Sequence, residues 1–253
     1  MGPLFLIVIL FIIITVLILV VNPGTPSETL PSRSYDGVYA AVVVYHGPTV
    51  MKEYVITNIK KLIQMNYRIY FVSNGDLPDN ISLPSSVKKD VRENAGYDWG
   101  GWSYALERWP ELKNYSGILF TNDSYYIYKS SEYMNEIISR HRKHGESWGL
   151  SMSNEYEPHL QSYFIEVPKK DYDDFSKHIH TCEKGSDVFS VIQNCEVKTL
   201  VHLPNAKWEF SPNEGRNPYL EGVNELIGAG FPVVKRRTPR DVVSHIDTQD
   251  FFQ

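Results

Sequence analysis

The sequence predicts an α/β fold, a mostly parallel sheet flanked by helices. Three observations carry that prediction. Residues 38–45 (VYAAVVVY) and 117–121 (GILFT) are nearly continuous apolar runs. Unbroken rather than alternating hydrophobicity marks strands buried on both faces of a parallel sheet. After the first run, Met51, Val55, Ile59, Leu62 and Ile63 recur close to a helical period, with Thr49 placed to cap the helix. A further strand-like run, 68–72, then closes a strand–helix–strand unit, whose crossover is expected to be right-handed.

The remaining elements follow in order. Residues 87–91 read as a short strand. Residues 102–108 read as a helix ended by Pro110, before the buried strand 117–121. Met134, Ile137 and Ile138 give 133–144 one apolar face. Residues 149–153 and 161–167 read as strands flanking the loop 154–159, and 188–201 as a packing helix. Residues 220–227 form a helix stopped by Gly228 and Gly230, ahead of the cationic run Lys235-Arg236-Arg237.

A chain of 253 residues suits one large domain with a real core. A net charge of −5, with no basic stripe beyond 235–240, argues against a nucleic-acid partner. Residues 3–21 carry no charge; as a helix of about 1.5 Å per residue they rise roughly 28 Å, close to a bilayer's apolar core. No Lys or Arg precedes them, so a single-pass anchor is favoured over a signal peptide, with its orientation unspecified. The expected organisation is therefore an anchor at 1–21, a Pro/Ser/Thr-rich stalk at 22–36 and a domain at 37–253. Cys182 and Cys195 would pair if the domain faces an oxidising compartment, and would equally serve as buried thiols in a reducing one.

The densest stretch is Arg92-Glu93-Asn94-Ala95-Gly96-Tyr97-Asp98-Trp99-Gly100-Gly101-Trp102. Glycines let backbone donors approach a ligand, and a helix start favours anions. The same residues would also make a tight turn, a cap and an aromatic packing site. Farther on, Asn122-Asp123-Ser124 ends a strand, a position suited to a carboxylate that holds a divalent metal on a diphosphate, and equally suited to capping a turn.

The first of these stretches resembles the Asn-x-Gly-x-Asp-x-Gly-x-Trp signature of the rhamnan synthesis protein F family of sugar-polymer glycosyltransferases. Asn122-Asp123-Ser124, Trp148–Ser153 running to His159–Phe164, and the blocks at 217–218 and 230–236 match that family in order. The resemblance covers roughly residues 38–240. It implies a GT-A-like fold, a nucleotide-sugar donor such as one carrying L-rhamnose, and a glycan acceptor.

On that resemblance Arg92, Asn94, Gly96, Asp98, Asp123, Lys235 and Arg236 are expected to bind the donor. Asp123 is the expected ligand for Mn or Mg. Gln161, Ser162 and Glu196 are expected on the acceptor side. Transfer with inversion needs a base for the acceptor hydroxyl. Glu155 is the first choice, His159 the second, and Asp98 a competitor. His245 is a further metal candidate. Two rivals stay open: a catalytically silent glycan- or nucleotide-binding module, and a glycoside hydrolase using Asp98 and Glu155 as its carboxylate pair.

Overall fold

Two strands that the sequence marks as apolar on both faces, β1 (Tyr39–Tyr45) and β4 (Gly117–Asn122), lie side by side at the centre of the sheet. They belong to a computed structural model that describes residues 35–47, 51–77, 82–182, 187–212, 222–236, 238, 239, 243 and 246. These fall in one compact unit, Tyr35–Gln253. The apolar run 3–21, the stalk to 34, Thr49, Asn217, Pro218, Arg237 and His245 lie outside the described residues. No helix among the described residues is long and apolar enough to cross a membrane.

From β1 the chain passes through α1 (Glu53–Gln64) to β2 (Tyr67–Asn74), then β3 (Lys88–Arg92). Next come α2 (Tyr97–Arg108), β4, β5 (Tyr125–Ile127) and α3 (Ser131–His144). The second half holds β6 (Trp148–Ser153), β7 (His159–Leu160), β8 (Phe164–Pro168) and α4 (Tyr172–Cys182). It closes with the short helices α5 (Val188–Val191) and α6 (Thr199–His202), then β9 (Lys207–Phe210), α7 (Val223–Gly228) and β10 (Val233–Lys235). The main sheet runs β3-β2-β1-β4-β8-β6-β7, with β9 against β6, and β10 pairs with β5 in a separate ribbon.

The sheet is mixed. β3, β2, β1 and β4 are mutually parallel, whereas β8 is antiparallel to both β4 and β6. For β6 and β8 the cause is connection length: only a short segment separates them, and parallel neighbours need a crossover of a dozen residues or more.

Alternation along β1 explains its unbroken apolar run. Ala41, Val43 and Tyr45 join a core with Val55, Ile59 and Leu62 of α1 and Met134, Ile137 and Ile138 of α3. Ala40, Val42 and Val44 join a second core with Trp99 and Trp102 of α2 and Phe175 and Ile179 of α4. The chain between β6 and β10 departs most from expectation. The helix expected at 188–201 is broken into α5, a π turn (Ile192–Glu196) and α6, while α4 and β9 were not foreseen. Cys182 and Cys195 are joined as a disulfide, which ties the end of α4 to the π turn.

Candidate functional site

The parallel strands end together, and the residues at their carboxyl ends form one chain of polar contacts. Arg92, last in β3, donates through Nη1 to Asn74 Oδ1 (3.1 Å), last in β2. Asn74 Nδ2 lies 3.3 Å from the ring nitrogens of His46, the residue after β1, and donates to the Tyr97 carbonyl at 2.9 Å. His46 Nε2 meets Asp98 Oδ1 at 2.6 Å, and Asn122 Nδ2, last in β4, donates to Asp98 Oδ2 at 2.7 Å. Ser124 donates from its hydroxyl to Asn122 Oδ1 (2.6 Å), and Lys235 Nζ of β10 donates to that hydroxyl at 2.7 Å. Successive strands are laid to one side of β1 and then β4 to the other, so the contacts cross the point where strand order reverses. Open α/β sheets bind ligands there.

The Gly-rich run builds the entrance to this site. It is helix from Tyr97 onward, five residues earlier than the sequence suggests. Gly96 (φ 70°) and Tyr97 (φ 52°) are both left-handed, an uncommon pair for which Tyr carries strain. Their turn delivers Asp98 to the first turn of α2, where the helix dipole favours a carboxylate. Gly100 is required by close approach: a Cβ there would stand 1.8 Å from the Ala95 carbonyl oxygen. Trp99 and Trp102 are fully buried packing residues, and Trp102 Nε1 donates to the Thr121 carbonyl. Asn94 is exposed on the loop before this turn.

Asp123 sits just beyond β4 and is 4% exposed. Its Oδ1 accepts from the His46 backbone N–H at 3.3 Å, whereas its Oδ2 is buried with no hydrogen-bond partner among the described residues. Arg236 Nη1 stands 3.9 Å from that oxygen. Burial pushes the Asp123 carboxyl above its ordinary pKa and Asp98 adds to the rise, against the pull of His46 and Arg236. Burial alone would lower the His46 pKa, but the Asp98 hydrogen bond and the charges of Asp98 and Asp123 outweigh it and raise the imidazole. Tyr45, beside them, is pushed up to about 12 by burial and Asp123.

A divalent ion on Asp123 would need several oxygen ligands. Among the described residues no three His, Cys, Asp or Glu side chains converge to hold a metal. Both Asp98 oxygens are engaged by His46 and Asn122, and a guanidinium already faces Asp123 Oδ2. The described residues do not complete a coordination shell, and what they offer an anion is cationic: Arg92, Lys235 and Arg236.

The acceptor-side residues reach the same edge through β8. Because β8 is antiparallel to β4, its start lies at the end of β4, with Thr121 opposite Phe164. Tyr163 just before it accepts a hydrogen bond from Thr121 through its carbonyl, and its ring lies 4.2 Å beneath Lys235 Nζ. Ser162 N donates to Glu196 on the π turn at 3.0 Å, and Gln161 Oε1 accepts from Ser151. His159 is buried with Nδ1 2.7 Å from the Glu157 carbonyl, and Glu155 is exposed on the loop above it. A cavity of about 390 Å³ between Val38, Ile63, Tyr67 and Arg68 opens at the opposite, amino ends of β1 and β2, away from these contacts.

His46 and Asn74 were not singled out from sequence, and Asn122 entered only as part of the Asn122-Asp123-Ser124 motif. The sequence signal the three share is position: each stands within two residues of the end of a strand-like apolar run.

The family model of rhamnan synthesis protein F matches residues 69–221. The chain belongs to the rhamnan synthesis protein F family. The match begins inside β2 and stops before β10. It is narrower than the expected 38–240, and His46, Lys235 and Arg236 of this rhamnan synthesis protein F member lie outside it. No curated protein matches the chain. Among solved structures it is similar to a glycosyltransferase involved in the glycosylation of the major capsid of PBCV-1, at TM-score 0.45 and 10% identity, over 82% of this chain and 100% of that one.

Proposed function

We propose that this chain is a glycosyltransferase that takes a sugar from a nucleoside-diphosphate donor and transfers it to a glycan hydroxyl, with L-rhamnose the sugar suggested by the family. Membership of the rhamnan synthesis protein F family supports glycosyl transfer in general. The observation that carries the finer reading is Asp123, buried at the strand-order reversal, with Lys235 and Arg236 converging on it and on Ser124.

In this reading Arg92, Asn74 and His46 receive the nucleoside side of the donor. Gly96 and Asp98 act from the α2 turn: Gly96 shapes it, and Asp98 holds His46 and Asn122 in place. As the acceptor oxygen bonds to the anomeric carbon, the carbon–oxygen bond to the diphosphate breaks and the diphosphate keeps the electron pair. Lys235 and Arg236 neutralise that growing charge, which guanidinium and ammonium groups do by charge-assisted hydrogen bonds. Glu155 presents a carboxylate for the acceptor proton. His159 is the second candidate, because Nδ1–H donation to the Glu157 carbonyl leaves Nε2 as the acceptor nitrogen. Gln161, Ser162 and Glu196 line the acceptor side. Residues 3–21 serve as the anchor, and the Cys182–Cys195 bond supports an oxidising side for the domain.

The test is nucleoside-diphosphate release by the full chain from a panel of nucleotide sugars, in EDTA and in Mn or Mg. Turnover abolished by Asp123→Ala, Lys235→Ala and Arg236→Ala supports the reading. Strict dependence on added metal would move the leaving-group role from the cations to a metal on Asp123. Donor binding without release from any donor would make the chain a silent binding module.

A further inference from the structure

Two large aromatic side chains are left in solvent beside the acceptor residues. Tyr156 is 51% exposed on the loop between β6 and β7, and Phe189 is 60% exposed on α5. Their rings meet edge to face at 6.5 Å, although they come from separate elements. The pair is held from both sides. Ser153 and His159 close the loop as a β pair, Lys198 Nζ donates to both carboxylate oxygens of Glu157 (2.9 and 3.1 Å), and Asp187 caps α5. From α5 the chain runs directly into the π turn carrying Glu196.

We propose that Tyr156 and Phe189 form a stacking platform for the glycan acceptor, a subsite set back from the reacting hydroxyl. This rests on the glycosyl-transfer reading above. A pyranose ring has apolar C–H faces and a polar rim. Here two half-exposed rings supply apolar surface, and Tyr156 is flanked in the chain by Glu155 and by Glu157, which Lys198 engages, groups suited to hydroxyls. The platform lies at the same sheet edge as the donor residues. In the strand order β4-β8-β6-β7 it is three strand spacings from β4, roughly 14 Å at about 4.8 Å each, which an oligosaccharide spans. A protein partner fits less well: two half-exposed rings offer roughly 200 Å² of apolar surface, against about 800 Å² per side of a stable interface.

The test measures binding of a short rhamnan oligosaccharide to the full chain by calorimetry, beside maltotriose and anionic phospholipid vesicles. It uses wild type, Tyr156→Ala, Phe189→Ala and Tyr156→Phe, each checked for an unchanged Tm. The expected result is a loss of rhamnan affinity of about three- to tenfold for each alanine variant and its retention in Tyr156→Phe. Acceptor KM rises by the same factor with kcat unchanged. Equal rhamnan affinity in wild type and both alanine variants overturns the proposal, as does absence of rhamnan binding to wild type. Loss of vesicle binding in the variants without loss of oligosaccharide binding makes the pair a membrane contact and also overturns it. Nucleoside-diphosphate binding is measured in parallel. If it is intact in every variant, a negative result falls on the platform alone; if it is absent in wild type, the donor reading fails instead.

Discussion

Arg236 Nη1 stands 3.9 Å from Asp123 Oδ2, a buried carboxylate oxygen without a hydrogen-bond partner among the described residues. The guanidinium is near enough to offset the charge and too far to bond it. Its side chain is about half exposed, so it can turn to a second anion. Arg236→Ala should therefore weaken nucleoside-diphosphate binding by about ten- to a hundredfold, as expected for a hydrogen bond to a charged group. Calorimetric titration in EDTA checks this, and an unchanged affinity would remove Arg236 from the donor site.

Asp123→Asn should stabilise the ligand-free protein while abolishing transfer. The folded-state pKa of Asp123 is raised, first by burial. Its contribution to stability is thus full below the ordinary carboxylate pKa and lost as pH rises through the folded value. At pH 7 the buried charge is a net cost that the amide removes. Tm should rise by about 2–4 °C per kcal/mol relieved, and the gain should vanish in acid. A fall in Tm at pH 7 would contradict the assignment.

His46 faces Asp98, Asp123, Arg92, Asn74 and Tyr97, and its pKa is raised. Its stabilising contribution is full below about 6.5, the ordinary imidazole value, and is lost as pH rises through the folded pKa. Diphosphate affinity should fall over the same window, because the imidazolium charge disappears. In Asp98→Asn, burial is no longer outweighed and the titration should move to lower pH. An NMR titration of His46 that is identical in both proteins would exclude the pairing.

Gly100→Ala places a methyl against the Ala95 carbonyl, a backbone atom that cannot rotate away. The expected loss is about 1–3 kcal/mol, read as a lower urea midpoint. Donor affinity should fall with it, since the same turn sets Asp98.

Replacing Cys182 and Cys195 together by serine opens a loop of sequence separation 13. Removal should cost about 3 kcal/mol on the chain-entropy account, with a matching drop in thermal midpoint. Since Glu196 adjoins Cys195 and holds Ser162 N, acceptor KM should rise more than donor KM.

Much of the architecture was legible because apolar burial is written along the chain at short period. The runs at 38–45 and 117–121 are β1 and β4, and the spaced residues from Val55 to Leu62 are the buried face of α1. The segment 188–201 was misread as one helix because its apolar residues fit a helical period, while the π turn answers to the disulfide and to α4. β9 escaped because Lys207-Trp208-Glu209-Phe210 is half exposed at a sheet edge and lacks an apolar run.

By itself the sequence determined the layered α/β plan, the turn at Gly96–Asp98 and the presence of Asp123 at a strand end. Each depends on neighbours within a few residues. The tertiary structure decided that Asp98 would serve His46 and Asn122, residues 52 and 24 positions away, and that Lys235 would reach Ser124 across 111. The contacts of Asp98 follow from the register of the parallel strands that end at His46 and Asn122, and that of Lys235 from the antiparallel pairing of β10 with β5. No local pattern encodes which strand ends will meet.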